Sequence, residues 1–295
     1  MRKGGKYNME RKRISLFILL TLATLNIAVF TGCSNSNTEP PYGFVFVQGG
    51  AFVNTTSNLY GTDVVLYDFF ISRYAITQRE WVEIMGENPS RFLGDDRPVE
   101  SVNWYDAILF ANKRSIQEGL VPFYNIDMEN DDPNNFSEED DFRWIVTIND
   151  NANGFRLPTE VEWEYAAGGG QLSISYSFSG SDDPNEVAWY FRNSGDEFLE
   201  DFWNWPMIEA NNAQTNPVGQ KKPNELGIYD MSGNVREWVW DWFCEDEINP
   251  ESGETRVIRG GGWIGSDDPC RTYERRYMSP HFRFHDIGFR LVLEP

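Results

Sequence analysis

Residues able to bind a transition metal or relay a proton are few in this chain. His281 and His285 are its only histidines, and Cys33, Cys244 and Cys270 its only cysteines. A multi-histidine metal site therefore has almost nothing to draw on, and a Ser-His-Asp relay would have to use one of these two imidazoles. The two histidines have i, i+4 spacing, which on a helix would put both on one face. Pro280 before them and Phe282-Arg283-Phe284 between them argue against a helix, and no third nitrogen or sulfur lies close in sequence, so surface or partner contact is their expected role. Gly260 to Gly265 reads G-G-G-W-I-G and formally matches the dinucleotide fingerprint. The context is wrong: Pro269 follows where a helix should run, and the chain reaches Pro295 too soon for a βαβ unit. These glycines better suit close backbone packing behind a strand.

Carboxylates, by contrast, are plentiful, with 46 acids against 25 bases and a formal charge of −21 over 295 residues. Such a balance argues against nucleic acid as a partner, because affinity for phosphates comes mainly from Lys and Arg. The acid-rich stretch Asp127 to Asp141 lacks the glycine and the ligand spacing of an EF-hand, so it reads as a solvated loop. Cys244 and Cys270 either form one disulfide in an oxidising compartment or stay as two thiols, and the sequence leaves both open.

The elements that must position these residues are short. Thr77-Gln78-Arg79-Glu80 has the spacing of a capping box and opens a helix whose apolar stripe is Trp81, Ile84 and Met85, stopped by Gly86. Asn103, with Asp106 three residues on, starts a second helix that runs to Gly119. Thr159 with Glu162 starts a third, ending at Gly168-Gly169-Gly170. Alternation of Trp238, Trp240 and Trp242 fits one face of a strand, with core packing as its purpose. Strand-like runs also cover 256–259 and 288–292. Eleven Trp, 13 Tyr and 21 Phe supply ample core, so the expected product is a single α+β domain over residues 42–295, loop-rich, with a few short helices and short antiparallel strands.

Before that domain the pattern changes. Arg2, Lys3, Lys6, Arg11, Lys12 and Arg13 precede an almost unbroken apolar run, Ile14 to Phe30, and then Thr31-Gly32-Cys33. Seventeen residues is close to the lower limit for an uncleaved membrane anchor. Gly32 before a cysteine resembles a bacterial lipobox, with Phe30 where leucine is more usual. That implies residues 1–32 as a lipoprotein signal peptide, lipidation of Cys33, and 33–41 as a polar tether ending in Pro40-Pro41. Removing 1–32 takes away six bases and one acid and leaves a formal charge of −26. The expected location is the bacterial cell envelope, lipid-anchored, either periplasmic or at the cell surface, with the membrane reached through the lipid.

Four ordered motifs carry a family resemblance: Pro98-Val-Glu-Ser-Val-Asn-Trp-Tyr-Asp-Ala107, Phe155-Arg-Leu-Pro-Thr-Glu-Val-Glu-Trp-Glu-Tyr-Ala-Ala167, Gly227-Ile-Tyr-Asp-Met-Ser-Gly-Asn-Val-Arg-Glu-Trp238, and Arg259-Gly-Gly-Gly-Trp263 with Cys270-Arg271 and Gly288-Phe-Arg290. Together they resemble the formylglycine-generating enzyme (sulfatase-modifying factor) family across essentially the whole exported domain. The resemblance implies an irregular C-type-lectin-like fold with bound calcium, and an oxidase in which two cysteines bind copper to convert a sulfatase cysteine to formylglycine. Alignment through the glycines puts Gly265 where the first of those cysteines belongs and Cys270 where the second does. Gly262 falls on the active-site serine and Arg236 on the tryptophan of the G-N-A-W-E-W motif. One sulfur does not make a two-thiolate copper site, so copper is not expected. The calcium set implied by the resemblance is Asp230, Gly233, Val235 and Glu237, an oxygen-only set suited to a hard cation.

Three functions follow as expectations. The first is a non-catalytic envelope scaffold for a protein or glycan ligand, using Arg271, Tyr273, Arg275, Tyr277, His281, Phe282, Phe284 and His285 as contact residues. This C-terminal region also resembles that of lectin-fold lipoproteins diversified by retroelements, which display changeable ligand-binding residues. The second is a formylglycine-generating oxidoreductase in which Cys270 works with a displaced Cys244. The third is a structural envelope or motility component.

Overall fold

Each of the five α-helices among the described residues begins where a side chain caps it. The computed structural model describes residues 40–52, 64–245 and 250–295; the basic N-terminus, the apolar run and Cys33 lie outside the described residues. Strands β1 (Phe44–Val47), β2 (Gly50–Phe52), β3 (Val64–Leu66) and β4 (Phe69–Ser72) lead into helix α1 (Gln78–Met85). Both halves of the capping box form there, with Thr77 accepting from the Glu80 amide and Glu80 from the Thr77 amide. Helix α2 (Trp104–Gln117) carries the same reciprocal cap from Asn103 and Asp106, and α3 (Glu160–Ala167) from Thr159 and Glu162. Among the described residues no helix is long and apolar enough to cross a membrane.

Between α2 and α3 lies a hairpin of β5 (Tyr124–Asp131) and β6 (Trp144–Ile148). The first third of the stretch expected to be a solvated acidic loop, residues 127–131, is therefore strand. Its far end is not solvated: Asp140 is buried and accepts from the Tyr105 hydroxyl and from Asn135 Nδ2, each at 2.7 Å. A carboxylate between two donors can be buried without an unmade hydrogen bond, a pairing that residue counts along the chain cannot reveal.

After α3 come the short helices α4 (Pro184–Val187) and α5 (Trp205–Ala210), then β7 (Arg236–Trp242), β8 (Arg256–Arg259), β9 (Arg276–Met278), β10 (Ile287–Phe289) and β11 (Val292–Leu293). Two sheets organise these pieces. One has the order β1-β4-β11, so the last strand pairs antiparallel with a strand near the start of the domain. The other has the order β10-β7-β8-β9, antiparallel except for the parallel β10–β7 pair. The observed fold is thus α+β, with few helices and short, mainly antiparallel strands.

Helix α2 is fastened to the second sheet by indoles. Trp104 Nε1 donates to the Val239 carbonyl and Trp238 Nε1 to the Val102 carbonyl, both at 3.0 Å, which lets two large apolar rings be buried with no polar atom left unpaired. Trp81 stacks on Phe110 at 5.4 Å, and Phe289 meets both edge-on. Alternation along β7 places Trp238 in this core, while Trp240 and Trp242 flank the buried Arg256 guanidinium, which lies 3.4 Å from the Trp242 ring centroid. Burial brings that arginine down to about 9, and its Nη1 finds the Trp240 carbonyl.

Candidate functional site

Strand β8 ends at Arg259 and the chain turns through three glycines. Gly260 and Gly261 have φ of +89° and +69°, and a Cβ on Gly261 would lie 2.6 Å from Cys270 Sγ, so both the backbone conformation and the packed sulfur require glycine. Cys270 is fully buried, its Sγ donates weakly to the Ser266 carbonyl at 3.6 Å, and Ser232 Oγ donates to the Cys270 carbonyl. Burial, with Asp267 and Asp268 nearby, pushes this thiol far up, the opposite of what a thiolate ligand or nucleophile needs. Cys244 is a separate, half-buried thiol; both cysteines are free, so the disulfide alternative is not the one adopted.

Over these glycines lies a hollow of about 230 Å³, lined by Trp203, Arg236, Gly261, Gly262, Ile264, Gly265, Pro269, Arg276 and Asp286. Arg236 pairs with the nearly buried Asp286 and lies over the Phe284 ring. A Cβ on Gly262 would touch Asp286 Oδ2 at 3.0 Å, whereas one on Gly265 would meet only the Gly262 carbonyl, at 3.6 Å. Gly262, Gly265, Cys270 and Arg236, the four positions singled out by the resemblance, therefore gather at one place: neither glycine offers a side chain, the Cys270 thiol is sealed below, and Arg236 pairs with Asp286.

A second hollow, of about 480 Å³, is lined by Arg91, Phe92, Asp196, Trp205, Glu209, Asn212, Ala213, Gln214 and Trp263. Trp263 is buried: its Nε1 donates to the His285 carbonyl, Phe92 meets it edge-on at 5.1 Å, and the His285 ring lies 5.2 Å away. Burial lowers the pKa of His285, consistent with a neutral ring packed among aromatics. The loop from Asp196 to Trp205 runs beside both hollows and supplies Trp203 to one and Trp205 to the other.

The eight C-terminal contact residues do not form one set. His281, Phe282, Phe284 and His285 make a chain of ring contacts, with Phe284 and His285 at 4.1 Å, beside the Arg236–Asp286 pair. Tyr277, 55% exposed, packs instead on Phe243 at 4.4 Å. Arg271 lies over Phe178 and pairs with Asp268, and Tyr273 is half-buried. Arg275 faces inward, with two hydrogen bonds to the buried Glu160 carboxylate at 2.7 and 2.8 Å. It is a structural ion-pair partner and not a contact anchor; only the fold brings α3 beneath this turn.

The donors implied for calcium fit only in part. Asp230 is buried, its Oδ2 accepts from the Gly219 amide, and its Oδ1 has no partner, while burial raises the carboxyl to about 6. A buried oxygen without a partner suits a cation. Glu237 is committed elsewhere: Arg290 takes both its oxygens at 2.7 Å, and Trp163 Nε1 donates to Oε2 at 2.6 Å. Among the described residues no group of three or more His, Cys, Asp or Glu could hold a metal ion.

Comparison with known proteins decides the family. The profile of the sulfatase-modifying factor enzyme 1-like domain matches residues 29–295. The chain belongs to this family. Within it, the chain is 53% identical over 249 residues to the chaperone protein LppX of Paenibacillus barcinonensis, covering 84% of this chain and 88% of that one. It is 32% identical to the formylglycine-generating enzyme of Streptomyces coelicolor, over 46% of each chain, so less than half of that enzyme is matched. Among solved structures, Treponema denticola variable protein 1 superposes with a TM-score of 0.70 at 35% identity, over 85% of this chain and 95% of that one. For a sulfatase-modifying-factor domain, then, the site is built on the family scaffold. The reading of the sequence missed the loop 196–205 and the partnership of Arg236 with Asp286. The loop had a signal, the alternation of acids and aromatics in D-E-F-L-E-D-F-W-N-W; the ion pair had none, since its partners are fifty residues apart.

Proposed function

We propose that this protein is an envelope lipoprotein, anchored through Cys33, whose sulfatase-modifying-factor domain binds other polypeptides without oxidising them. The observation that carries this reading is the site itself: Gly265 and Gly262 offer no side chain, and Cys270 is a buried thiol held in its protonated form. Copper chemistry needs accessible thiolates, and one sealed sulfur does not provide them. A polypeptide-binding role is supported by the relative named a chaperone, which matches most of both chains. A calcium ion belongs to the proposal at Asp230, with the Gly233 and Val235 carbonyls as further oxygen donors; Glu237 stays committed to Arg290.

The test uses the purified 42–295 domain with copper, oxygen and a cysteine-containing sulfatase peptide. No aldehyde is expected. Aldehyde that disappears in Cys270→Ser would overturn the non-catalytic reading. Replacing Cys33 with Ser in the full chain should move the protein from the membrane fraction to the soluble fraction.

A second reading, a display scaffold with changeable contact residues, is favoured by the likeness to the Treponema denticola variable protein and by the exposure of Tyr277 and Phe282. Sister copies that are identical at 271–285 would count against it.

A further inference from the structure

Single exposed apolar side chains are ordinary, but several gathered at one place on a surface mark a contact. Tyr42, just before β1, is fully exposed; Tyr67, just after β3, is 90% exposed; and Val65, Leu172 and Ile174 are each more than half exposed. Gly49, in the bend between β1 and β2, is where their segments meet. A Cβ there would lie 2.3 Å from the Leu66 carbonyl oxygen and 2.7 Å from that of Tyr67. The Gly49 carbonyl in turn accepts from Gln171 Nε2 at 3.2 Å, which brings in the turn that carries Leu172 and Ile174. Phe46, on the edge strand β1, extends the patch towards Tyr42: it is partly exposed and meets Phe70 edge-on at 5.7 Å.

Tyr42 is also where the chain arrives from Cys33. Only residues 34–41 separate the two, a stretch that spans at most about 30 Å even when fully extended. With Cys33 in lipid, this end of the domain stays within that reach of the membrane, and so short a tether raises the local concentration enough for a weak contact to be occupied. Tyrosine suits such a boundary, because its ring is apolar while its hydroxyl can stay in water.

We infer that the end of the domain built from β1, β2, β3 and the turn at Leu172 is a docking face for the interfacial layer of a lipid bilayer, with Tyr42, Val65, Tyr67, Leu172 and Ile174 as its contacts. This rests on the lipid-anchor reading above and adds how the domain itself meets the membrane. The contact is apolar and not a headgroup site. Beside Tyr67 lies a hollow of about 670 Å³ whose one guanidinium, Arg156, has both terminal nitrogens held by Glu162 at 2.7 Å. No cation there is left for a phosphate, and Asp68 and Glu294 on the same rim repel one. Charge also decides against a second copy of this chain, since two strongly acidic bodies oppose each other's approach while a neutral interface does not.

The experiment uses the full chain, expressed with its N-terminal segment and reconstituted into phosphatidylcholine vesicles that contain an alkyne-tagged phosphatidylcholine. A benzoylphenylalanine photoprobe is installed at Tyr67 or, as the control, at Phe202, an aromatic 93% exposed on the loop 196–205. After irradiation the probe at Tyr67 should carry at least about fivefold more lipid adduct than the one at Phe202. The double variant Val65→Ser, Leu172→Ser should lower the Tyr67 adduct about fivefold. It should leave the melting temperature unchanged, because both side chains are mostly in water. Exchanging phosphatidylcholine for phosphatidylglycerol should lower the adduct at low salt, with recovery as salt rises. Equal adducts at the two positions, no effect of the double variant, a rise with phosphatidylglycerol, or a Tyr67 adduct to a second copy of the chain in place of lipid would overturn the inference. Metabolic labelling of Cys33 with alkyne-palmitate separates the two levels. Label with equal adducts keeps the lipid anchor and removes the docking face; no label with adducts concentrated at Tyr67 keeps the docking face and removes the lipid anchor.

Discussion

At the residue scale, the site is governed by what a single added carbon would touch. Gly261 combines a left-handed φ of +69° with a Cys270 sulfur 2.6 Å from any Cβ, whereas Gly265 has room for one. Gly261→Ala should therefore cost roughly 2–4 kcal/mol in thermal or denaturant unfolding, from left-handed strain together with overpacking. Gly265→Cys should fold with stability within about 0.5 kcal/mol of wild type. It would also fail to restore aldehyde formation, because the Cys270 thiol stays buried and protonated below. The sequence motif correctly pointed to these glycines as packing devices, but not to what they pack against: the sulfur that meets Gly261 comes from nine residues downstream, after a turn that no local pattern announces.

At the scale of elements, helix α3 is the piece that links the sheet to the site. Its buried face carries Glu160 and Glu164, and these meet Arg259 from β8 and Arg275 from the turn before β9. Arg259→Met should destabilise the domain by about 3–5 kcal/mol, since it leaves carboxylates buried without their cation. Close by, Asp241 on β7 accepts from the Glu160 amide, while its Oδ1 has no partner. Burial, reinforced by Glu160, raises its carboxyl to about 7. A carboxyl whose folded pKa lies above the unfolded value binds its proton more tightly when folded. Its contribution to stability is therefore complete below pH of about 4 and is lost as pH rises through about 7. Asp241→Asn, which mimics the protonated form, should gain in melting temperature relative to wild type as pH goes from acid to neutral and above; a constant difference across that range would refute the assignment. The capping boxes of α1, α2 and α3 were all legible because each is a rule about residues three apart. The ion pairs were not, because Arg275 and Glu160 are 115 positions apart and meet only when the sheet closes.

At the scale of the whole molecule, calcium separates two explanations of the unpartnered Asp230. Millimolar calcium should raise the melting temperature of the domain, EDTA should reverse the effect, and Asp230→Asn should abolish the response; metal analysis of the purified domain should find no stoichiometric copper. No change in wild type on adding calcium would remove the ion from the proposal and leave Asp230 a strained buried acid. What the sequence determined by itself was the fold class, the starts of α1, α2 and α3, and the family. All of these rest on short-range spacing or on ordered motifs, which survive without knowledge of contacts. The tertiary structure decided which residues are available for function. It turned Arg275 inward to Glu160, gave Glu237 to Arg290, sealed Cys270, and left Phe202 and its acidic neighbours in water. Burial and charge pairing are properties of distant segments brought together, and the linear order of residues does not contain them.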